Sequence, residues 1–295
     1  MPTLREVNPA MLQDLRSALR AVRRNPGFAA VVVFTLALGI GANTAIFTVV
    51  DTVLLRSLPL PDADQLVTVE EARLPDLPQF AVSPANFRSY RAQNHGLKGL
   101  AAFNTGNYTL TGEGDPISVD GVEVSSDFFP VVGVAPSLGR GFSPEETVPG
   151  GEPLVVISHD LWLARFGGDA RVLDRSMMID GTSHRIIGVM PAGFEYPRRG
   201  KVWLPLELPV DPDAQRGAHY LAVIGRRRPG VPLAAVQREI SAIATELAAR
   251  YPRSNTGWSA SVSSLQESMV GRLRPGLLML LGAVGLVALI ACANV

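Results

Sequence analysis

Two long apolar runs bracket a polar middle in this 295-residue chain. The first run covers residues 28–50, and the second begins at Leu277 and continues to Val295; neither contains a charged side chain. A helix of about 20 apolar residues crosses the ~30 Å hydrocarbon core of a bilayer with its backbone polar groups bonded internally. The pattern predicts a membrane-spanning helix over 28–50 and the start of a second within 272–295, which we expect to be cut short at Val295.

The charges are distributed unevenly around these runs. Residues 1–27 hold five arginines against two acidic residues, although the whole chain carries 27 basic and 27 acidic side chains. Positively charged segments stay on the cytoplasmic side of a membrane. We therefore expect residues 1–27 in the cytoplasm and residues 51–271 on the outer face. Arg272 and Arg274 oppose this orientation weakly, but long domains are translocated regardless of such charges.

Two finer patterns accompany the first run. Leucine and valine recur at helical spacing within residues 12–22, opposite a face rich in arginine. This favours an amphipathic helix on the inner membrane surface, or alternatively an ordinary basic segment beside the membrane. Ala37, Gly41 and Ala45 recur every four residues, and such a stripe of small side chains either marks a contact with another helix or reflects composition alone.

The middle of the chain, residues 51–271, alternates short apolar runs with turn residues and predicts a strand-rich α+β domain. Helices are predicted over 84–93, over 159–166, and from Pro232 at a first helical position until shortly before Pro252. Strands are predicted over 97–110, 117–124, 154–157, 176–179, 184–189, 202–206, 220–225 and 258–262. Asp180-Gly181 favours a hairpin between 176–179 and 184–189, with a connection longer than two residues.

No arrangement of side chains in this domain indicates catalysis. The histidines, His95, His159, His184 and His219, are too far apart in sequence for a metal-ligand motif such as H-E-x-x-H. A nucleophile elbow and a Walker A sequence are lacking, and the single cysteine, Cys292, belongs to the second apolar run. We therefore expect no catalytic, cofactor-binding or metal-binding residues, no cofactor and no nucleic-acid partner.

Several groups of charged residues are interpreted as solvated surface. They are His159-Asp160 at a helix start and, on loops or strand ends, Glu70-Glu71, Glu145-Glu146 and Arg226-Arg227-Arg228. Asn107-Tyr108-Thr109 matches the sequon for N-glycosylation, a pattern too short to identify a modification by itself.

Long blocks of the sequence resemble a known family. LRSALRAVRRNPGFAAVVVFTLALGIGANTAIFTVVDTVLLRSLPL at 15–60 closely resembles the start of bacterial ABC-transporter permeases of the macrolide-exporter type, MacB-like or FtsX-like. Blocks in the middle resemble that family's periplasmic core domain: FFPVVGVAPSLGRGF at 128–142, DLWLARFGGD at 160–169, IIGVMPAGFEYP at 186–197, VWLPL at 202–206 and GRRRPGVPLAAVQREI at 225–240. ACANV at 291–295 looks like an unfinished second span of that family.

The resemblance implies a permease subunit without ATPase activity of its own. Its partners would be a cytoplasmic ABC ATPase, a second permease unit, the lipid bilayer and, in some relatives, periplasmic proteins. The implied location is the bacterial inner membrane, and the implied activity is efflux driven by ATP hydrolysis in the partner. The substrate is not implied.

Two other classes fit the two-span layout taken without the resemblance. A sensory receptor also places an extracytoplasmic domain between two spans, and its ligand would shift one span. A membrane-anchored extracytoplasmic enzyme has the same layout but needs a nucleophile or a metal cluster, and the sequence offers neither.

Overall fold

The computed structural model describes residues 26–50, 59–112, 115–197, 199–271 and 273–293. These residues form two compact units, one made by the two apolar helices at the ends of the chain and one made by the residues between them. The amphipathic helix predicted within residues 1–27 lies outside the described residues.

The first unit consists of helix α1 (Pro26–Val50) and helix α8 (Arg274–Ala293), which contact each other. Among the described helices, α1 alone is long and apolar enough to cross a membrane, over Val33–Val50, whereas the apolar part of α8, Arg274–Val287, is shorter. The span predicted at 28–50 therefore coincides with a continuous helix that begins two residues earlier.

The second unit is an α+β domain, as predicted. Its helices are α2 (Pro84–Gln93), α3 (Phe128–Val132), α4 (His159–Phe166), α5 (Leu233–Arg250), α6 (Pro252–Asn255) and α7 (Leu265–Val270). Its strands are β1 (Leu66–Arg73), β2 (Leu77–Phe80), β3 (Leu97–Thr111), β4 (Ile117–Val124), β5 (Leu138–Gly139), β6 (Leu154–Ile157), β7 (Ser176–Ile179), β8 (Thr182–Val189), β9 (Val202–Pro205), β10 (Ala222–Arg227) and β11 (Ser259–Ser264). Short 3₁₀ turns lie at Ala63–Gln65, Pro144–Thr147 and Ala170–Asp174.

The described strands form one continuous sheet. Its order is β11-β1-β10-β3-β4-β9-β6-β8-β5, with β2 paired to β1 and β7 paired to both β3 and β8. The pairs β4–β9 and β6–β8 are parallel, and the other pairs are antiparallel. Helices α2 and α5 cover the end of the sheet that contains β1, β10 and β11, and α4 belongs to the core around β6 and β8.

Neighbouring residues of the central strands enter different cores. In β1, Leu66 packs into the cluster with Phe128 and Trp203, whereas Val67 packs into the cluster with Phe87 and Ile240. Since successive side chains of a strand point to opposite faces, the sheet is buried on both sides here. A strand covered on both faces has no alternation of apolar and polar residues, which is why the sequence pattern missed β1.

Helices with a clear start signal were predicted correctly. The bounds of α2 and α4 match the prediction, and each helix has a serine N-cap whose hydroxyl accepts a backbone N–H: Ser83 from Asn86 and Ser158 from Leu161. Pro232 is the extended residue before α5 rather than its first helical residue. This part of the prediction was wrong by one position.

The hairpin at Asp180-Gly181 is tighter than predicted. Strand β8 begins at Thr182, so these two residues alone connect it to β7, and both have positive φ, 46° and 80°. Paired positive φ values are typical of two-residue hairpin turns. The longer connection was wrong because Thr182 and Ser183 are polar and exposed, although their backbones pair with Ile179 and Met178.

Candidate functional site

One asparagine links the two apolar helices. The Asn43 side-chain amide donates to the Gly39 carbonyl in α1 at 3.0 Å and to the Val284 carbonyl in α8 at 3.4 Å. Gly39 is buried and Asn43 is half-buried. In hydrocarbon an amide must find a partner within the protein, and a bond to a second helix joins the pair.

The predicted stripe of small residues faces elsewhere. Ala37, Gly41 and Ala45 are exposed, and a Cβ added at Gly41 would meet no atom within 4 Å. Gly39 and Asn43 lie two residues out of phase with that stripe, which places them on the other side of the helix. The stripe therefore does not form the contact with α8, and its contact with a different helix stays a prediction.

The chain enters and leaves the domain on adjacent strands. The first long strand, β1, pairs with the last strand, β11, and Val67 lies opposite Ser264. The hydroxyls of Thr68 and Ser263 are 2.9 Å apart and share a hydrogen bond. The incoming segment (residues 59–65) and the outgoing segment (residues 265–271) therefore attach to neighbouring strands of one sheet.

Both segments are anchored in the same core. Leu60 of the incoming segment and Leu265 of the outgoing segment belong to the buried cluster that contains Phe128 and Trp203. Apolar burial of this kind contributes ~1.5–3 kcal/mol for each large side chain. Both connecting segments therefore pack against the same group of aromatic rings.

Arg226 fastens the incoming segment to the core. This β10 side chain is 7% exposed, and its Nε donates to the Val131 carbonyl at 2.8 Å and its Nη2 to the Val132 carbonyl at 3.0 Å. The same guanidinium donates to the Pro61 carbonyl at 2.9 Å and the Asp62 carbonyl at 3.4 Å. We call this set of contacts the Arg226 clamp.

The clamp satisfies the last carbonyls of α3, which have no partner within the helix. Gly133 ends α3 with φ +80°, and a Cβ added there would meet the Nη2 of Arg226 at 2.9 Å. A glycine is needed at this helix end both for the left-handed conformation and for the approach of the arginine.

The prediction that Arg226 is solvated was therefore wrong. Its neighbours in sequence differ from it: Arg228 is exposed, and Arg227 is partly exposed and donates to the carbonyl of Asp64 at 2.8 Å. Strand β10 lies between β1 and β3, so its alternate side chains point into covered faces.

A second buried polar group surrounds Glu71, which is 1% exposed. Its carboxylate accepts hydrogen bonds from the Tyr90 hydroxyl at 2.9 Å and the Asn86 amide at 2.7 Å. It also lies 2.7 Å from Nδ1 of His219, and the backbone N–H of Ser83 donates to it at 3.3 Å. We call these residues the Glu71 cluster; the prediction of a solvated Glu71 was wrong.

Arg216 extends this cluster. Its Nη1 donates to Oδ1 of Asn86 at 2.8 Å, its Nη2 pairs with Asp213, and its guanidinium lies 3.7 Å above the ring of Tyr251. Arg216 is 7% exposed, and its Nε has no hydrogen-bond partner among the described residues. Stacking on an aromatic face stabilises such a cation in place of water.

Burial and the adjacent carboxylate of Glu71 raise the pKa of Tyr90 far above its ordinary value. His219 stacks on Trp258 with ring centroids 4.0 Å apart and with its side chain 5% exposed. The cluster resembles a hydrolytic site in composition, but no serine or threonine hydroxyl bonds to His219 in the described part of the chain. Its bonds instead connect β1, α2 and the loop before β10, and Asn255 of α6 joins them by donating to Oδ1 of Asn86 at 3.1 Å.

The remaining candidate residues are dispersed. His159 makes an edge-to-face contact with Trp162, and Asp160 pairs with Lys201 at 3.0 Å. Glu146 pairs with Arg140 at 2.7 Å and accepts a hydrogen bond from the Ser143 N–H. Within the described residues, no three His, Cys, Asp or Glu side chains form a group able to hold a metal ion. The sequence signal for both buried networks was weak, because their bonds join positions far apart in the chain.

Comparisons with known proteins agree with this geometry. A sequence model described as the MacB-like periplasmic core domain matches residues 29–243. A sequence search of curated proteins finds no match. A solved domain of a protein described as a permease, from Porphyromonas gingivalis, is 15% identical with a TM-score of 0.53, and the match covers 70% of this chain and 92% of that one.

The solved periplasmic region of MacB from Actinobacillus actinomycetemcomitans is 10% identical with a TM-score of 0.51. That match covers 72% of this chain and 94% of the solved region. At these identities the similarity shows a shared fold. The sequence model covers most of the chain, including the greater part of α1.

Proposed function

Because the chain belongs to the MacB-like periplasmic core domain family, and hence to the permeases of ABC-type transporters, we propose that it couples a cytoplasmic ATPase to movement of its extracytoplasmic domain. The observation that carries the proposal is the family match over residues 29–243, which runs from the apolar helix into the domain without interruption. The chain itself would hydrolyse no ATP and would act as the mechanical component.

The attachment of the domain suits this role. Strands β1 and β11 are hydrogen-bonded neighbours, and Leu60 and Leu265 share one core. A displacement of either connecting segment would therefore be transmitted to the same rigid sheet, because packed interiors have low compressibility. Chemistry at the domain is not needed for such transmission.

The proposal includes an orientation and a set of partners. Residues 1–27 would lie in the cytoplasm, residues 51–271 outside a bacterial inner membrane, and α1 and α8 in the bilayer. A second permease unit would complete the transport pathway, periplasmic proteins would receive the movement or the substrate, and the direction would be export.

Purification from the membranes of the host tests the proposal. We expect the tagged protein to co-purify with an ATPase that carries a phosphate-binding P-loop. A spin label at the exposed Val210 should report a change of distance between domains when ATP is added. The matched control is the same complex with the P-loop lysine of the ATPase replaced, in which ATP should change nothing.

Absence of any P-loop ATPase, together with signalling that depends on an external ligand, would contradict the proposal and favour the receptor. If the ATPase co-purifies but ATP changes no distance, the proposal of mechanical coupling is contradicted, whereas the family assignment is unaffected.

A further inference from the structure

A groove of about 540 Å³ lies beside the Arg226 clamp. Its charged lining consists of Lys98, Arg226, Arg228 and Asp62. The rest of its wall is uncharged: Pro61, Gln65, Pro130, Gly133 and Pro229. Three cationic side chains and one carboxylate therefore share a single concave surface.

The positive charge of this groove is poorly neutralised. The bonded partners of Arg226 are backbone carbonyls, and the nearest carboxylate oxygen, Oδ2 of Asp62, is 4.0 Å from Nη1 on a side chain that is 71% exposed. Buried charges in proteins are normally paired with an opposite charge. The guanidinium of Arg226 is bonded to neutral oxygens and borders the groove. An anion in the groove would therefore supply the opposite charge that Arg226 lacks.

The other two cations are available to such an anion. The side chain of Lys98 is exposed and makes no hydrogen bond or ion pair with the described residues. Arg228 donates Nε to the His95 carbonyl at 2.9 Å, and its two terminal nitrogens make no bond to the described part of the chain. An arginine fork bonds two oxygens of a phosphate at once, and a lysine adds a mobile point charge.

We propose that this groove binds a phosphate-bearing anion, with Lys98 and Arg228 bonding the phosphate oxygens and Arg226 supplying a fixed buried charge. The phosphate group is the shared chemistry of two sources, a lipid headgroup and free phosphate in solution. This site is independent of ATP-driven coupling and needs no transport activity to be detected.

The experiment uses the whole ¹⁵N-labelled chain in neutral detergent micelles and follows the amide signals of Lys98, Gly133 and Arg228. One arm is titrated with inorganic phosphate. The second compares dihexanoyl phosphatidylglycerol with dihexanoyl phosphatidylcholine, and the third uses an acidic peptide, hexaglutamate. We expect saturable shifts confined to the groove with phosphate, with phosphatidylglycerol, or with both.

The variant K98Q/R228Q should bind the phosphate probe at least tenfold more weakly, because two of the three cations are removed. Both positions are exposed, so the melting temperature should stay unchanged. The matched control, R238Q/R253Q, removes the same charge from exposed positions on α5 and α6 and should bind like wild type.

Saturation by inorganic phosphate alone identifies a soluble phosphate, and saturation by phosphatidylglycerol but not phosphatidylcholine identifies a lipid headgroup; either supports the site. Three results overturn it: no saturable shift with either probe, equal loss in R238Q/R253Q, or hexaglutamate binding as tightly as the phosphate probes. If K98Q/R228Q loses binding and also has a lowered melting temperature, the single variant K98Q distinguishes a lost phosphate contact from lost stability. It can do so because the side chain of Lys98 bonds to no described residue. Unchanged affinity in K98Q alone is a fourth result that overturns the assignment.

Discussion

The Arg226 clamp and the Glu71 cluster bury opposite charges by different means. The clamp holds a cation with carbonyl oxygens of the backbone, from α3 and from the incoming segment. The cluster holds an anion mainly with side chains, namely Tyr90, Asn86 and His219. The first depends on where the backbone runs, and the second depends on the identity of each partner.

This difference shows that buried polar side chains have two structural roles in the domain. A guanidinium bonded to carbonyls joins whichever segments supply them, so the clamp fixes the incoming segment to the end of α3. A carboxylate that accepts bonds from specific side chains fixes the mutual positions of β1, α2 and the loop before β10. We therefore expect damage to the clamp to be local and damage to the cluster to affect the whole domain.

Removing the centre of the Glu71 cluster should have the largest effect. In E71A, three buried side-chain donors and the Ser83 N–H lose their acceptor. Removing one partner of a buried charge network costs about 3–5 kcal/mol. We expect this loss in the free energy of unfolding of the whole chain in neutral micelles, measured by urea denaturation with Trp fluorescence.

The matched control is E70A, the neighbouring carboxylate on the opposite face of β1, where the side chain is only half-buried. We expect a loss below about 1 kcal/mol there. Equal losses in E71A and E70A would show that the buried network adds nothing beyond an ordinary strand position.

The sequence contained local signals for much of the fold but few for these networks. The serine N-caps of α2 and α4 and the turn at Asp180-Gly181 depend on residues adjacent in sequence. The two helices therefore have the predicted bounds, and a hairpin forms at the predicted turn, although with a shorter connection than predicted. Strand β1 lacks alternation because both its faces are covered. Helix α3 has five residues, too few for a helical period to emerge.

The site residues were harder to predict for a related reason. Glu71 and Arg226 each sit in a run of like charges, which normally indicates solvated surface. Their burial follows from pairings such as β1 with β10 and β1 with β11, which bring together residues distant in sequence. The glycine at 133, which ends α3, is the one local sign that something approaches that helix end closely.

Weakening the Arg226 clamp should have an intermediate and local effect. In R226K, one ammonium cannot reach the carbonyls that the planar fork bonds at both α3 and the incoming segment. Unsatisfied buried carbonyls cost ~1–3 kcal/mol, and we expect a loss in this range. Hydrogen exchange should accelerate at the Gln65 amide, which bonds to the Asp62 carbonyl, while amides of α5 stay protected.

The control is R227K, at the next position of the same strand, where the partly exposed side chain bonds to the Asp64 and Val231 carbonyls. We expect less than about 1 kcal/mol and little change at Gln65. Uniform acceleration across the domain in R226K would contradict the local role and make the clamp equivalent to the cluster.

The smallest effect should come from one donor of the cluster, and its pH dependence identifies the bond. Y90F removes the hydroxyl that donates to Glu71 and should cost about 1 kcal/mol at pH 7. Burial and Glu71 raise the pKa of Tyr90 in the folded domain, whereas an unfolded tyrosine ionises near pH ~10. Above that pH the unfolded state alone loses the proton, so wild-type stability falls as pH rises.

Ionisation of Tyr90 in the unfolded state lowers the wild-type free energy of unfolding by about 1.4 kcal/mol at pH 11. Y90F has no phenol at this position and therefore lacks this contribution. The other titrating groups cancel in the difference between the two proteins. The cost of Y90F should therefore shrink or change sign between pH 7 and pH 11 in urea denaturation. A constant difference across that range would mean that the Tyr90 phenol ionises equally in both states, which is incompatible with a buried hydroxyl bonded to the side chain of Glu71.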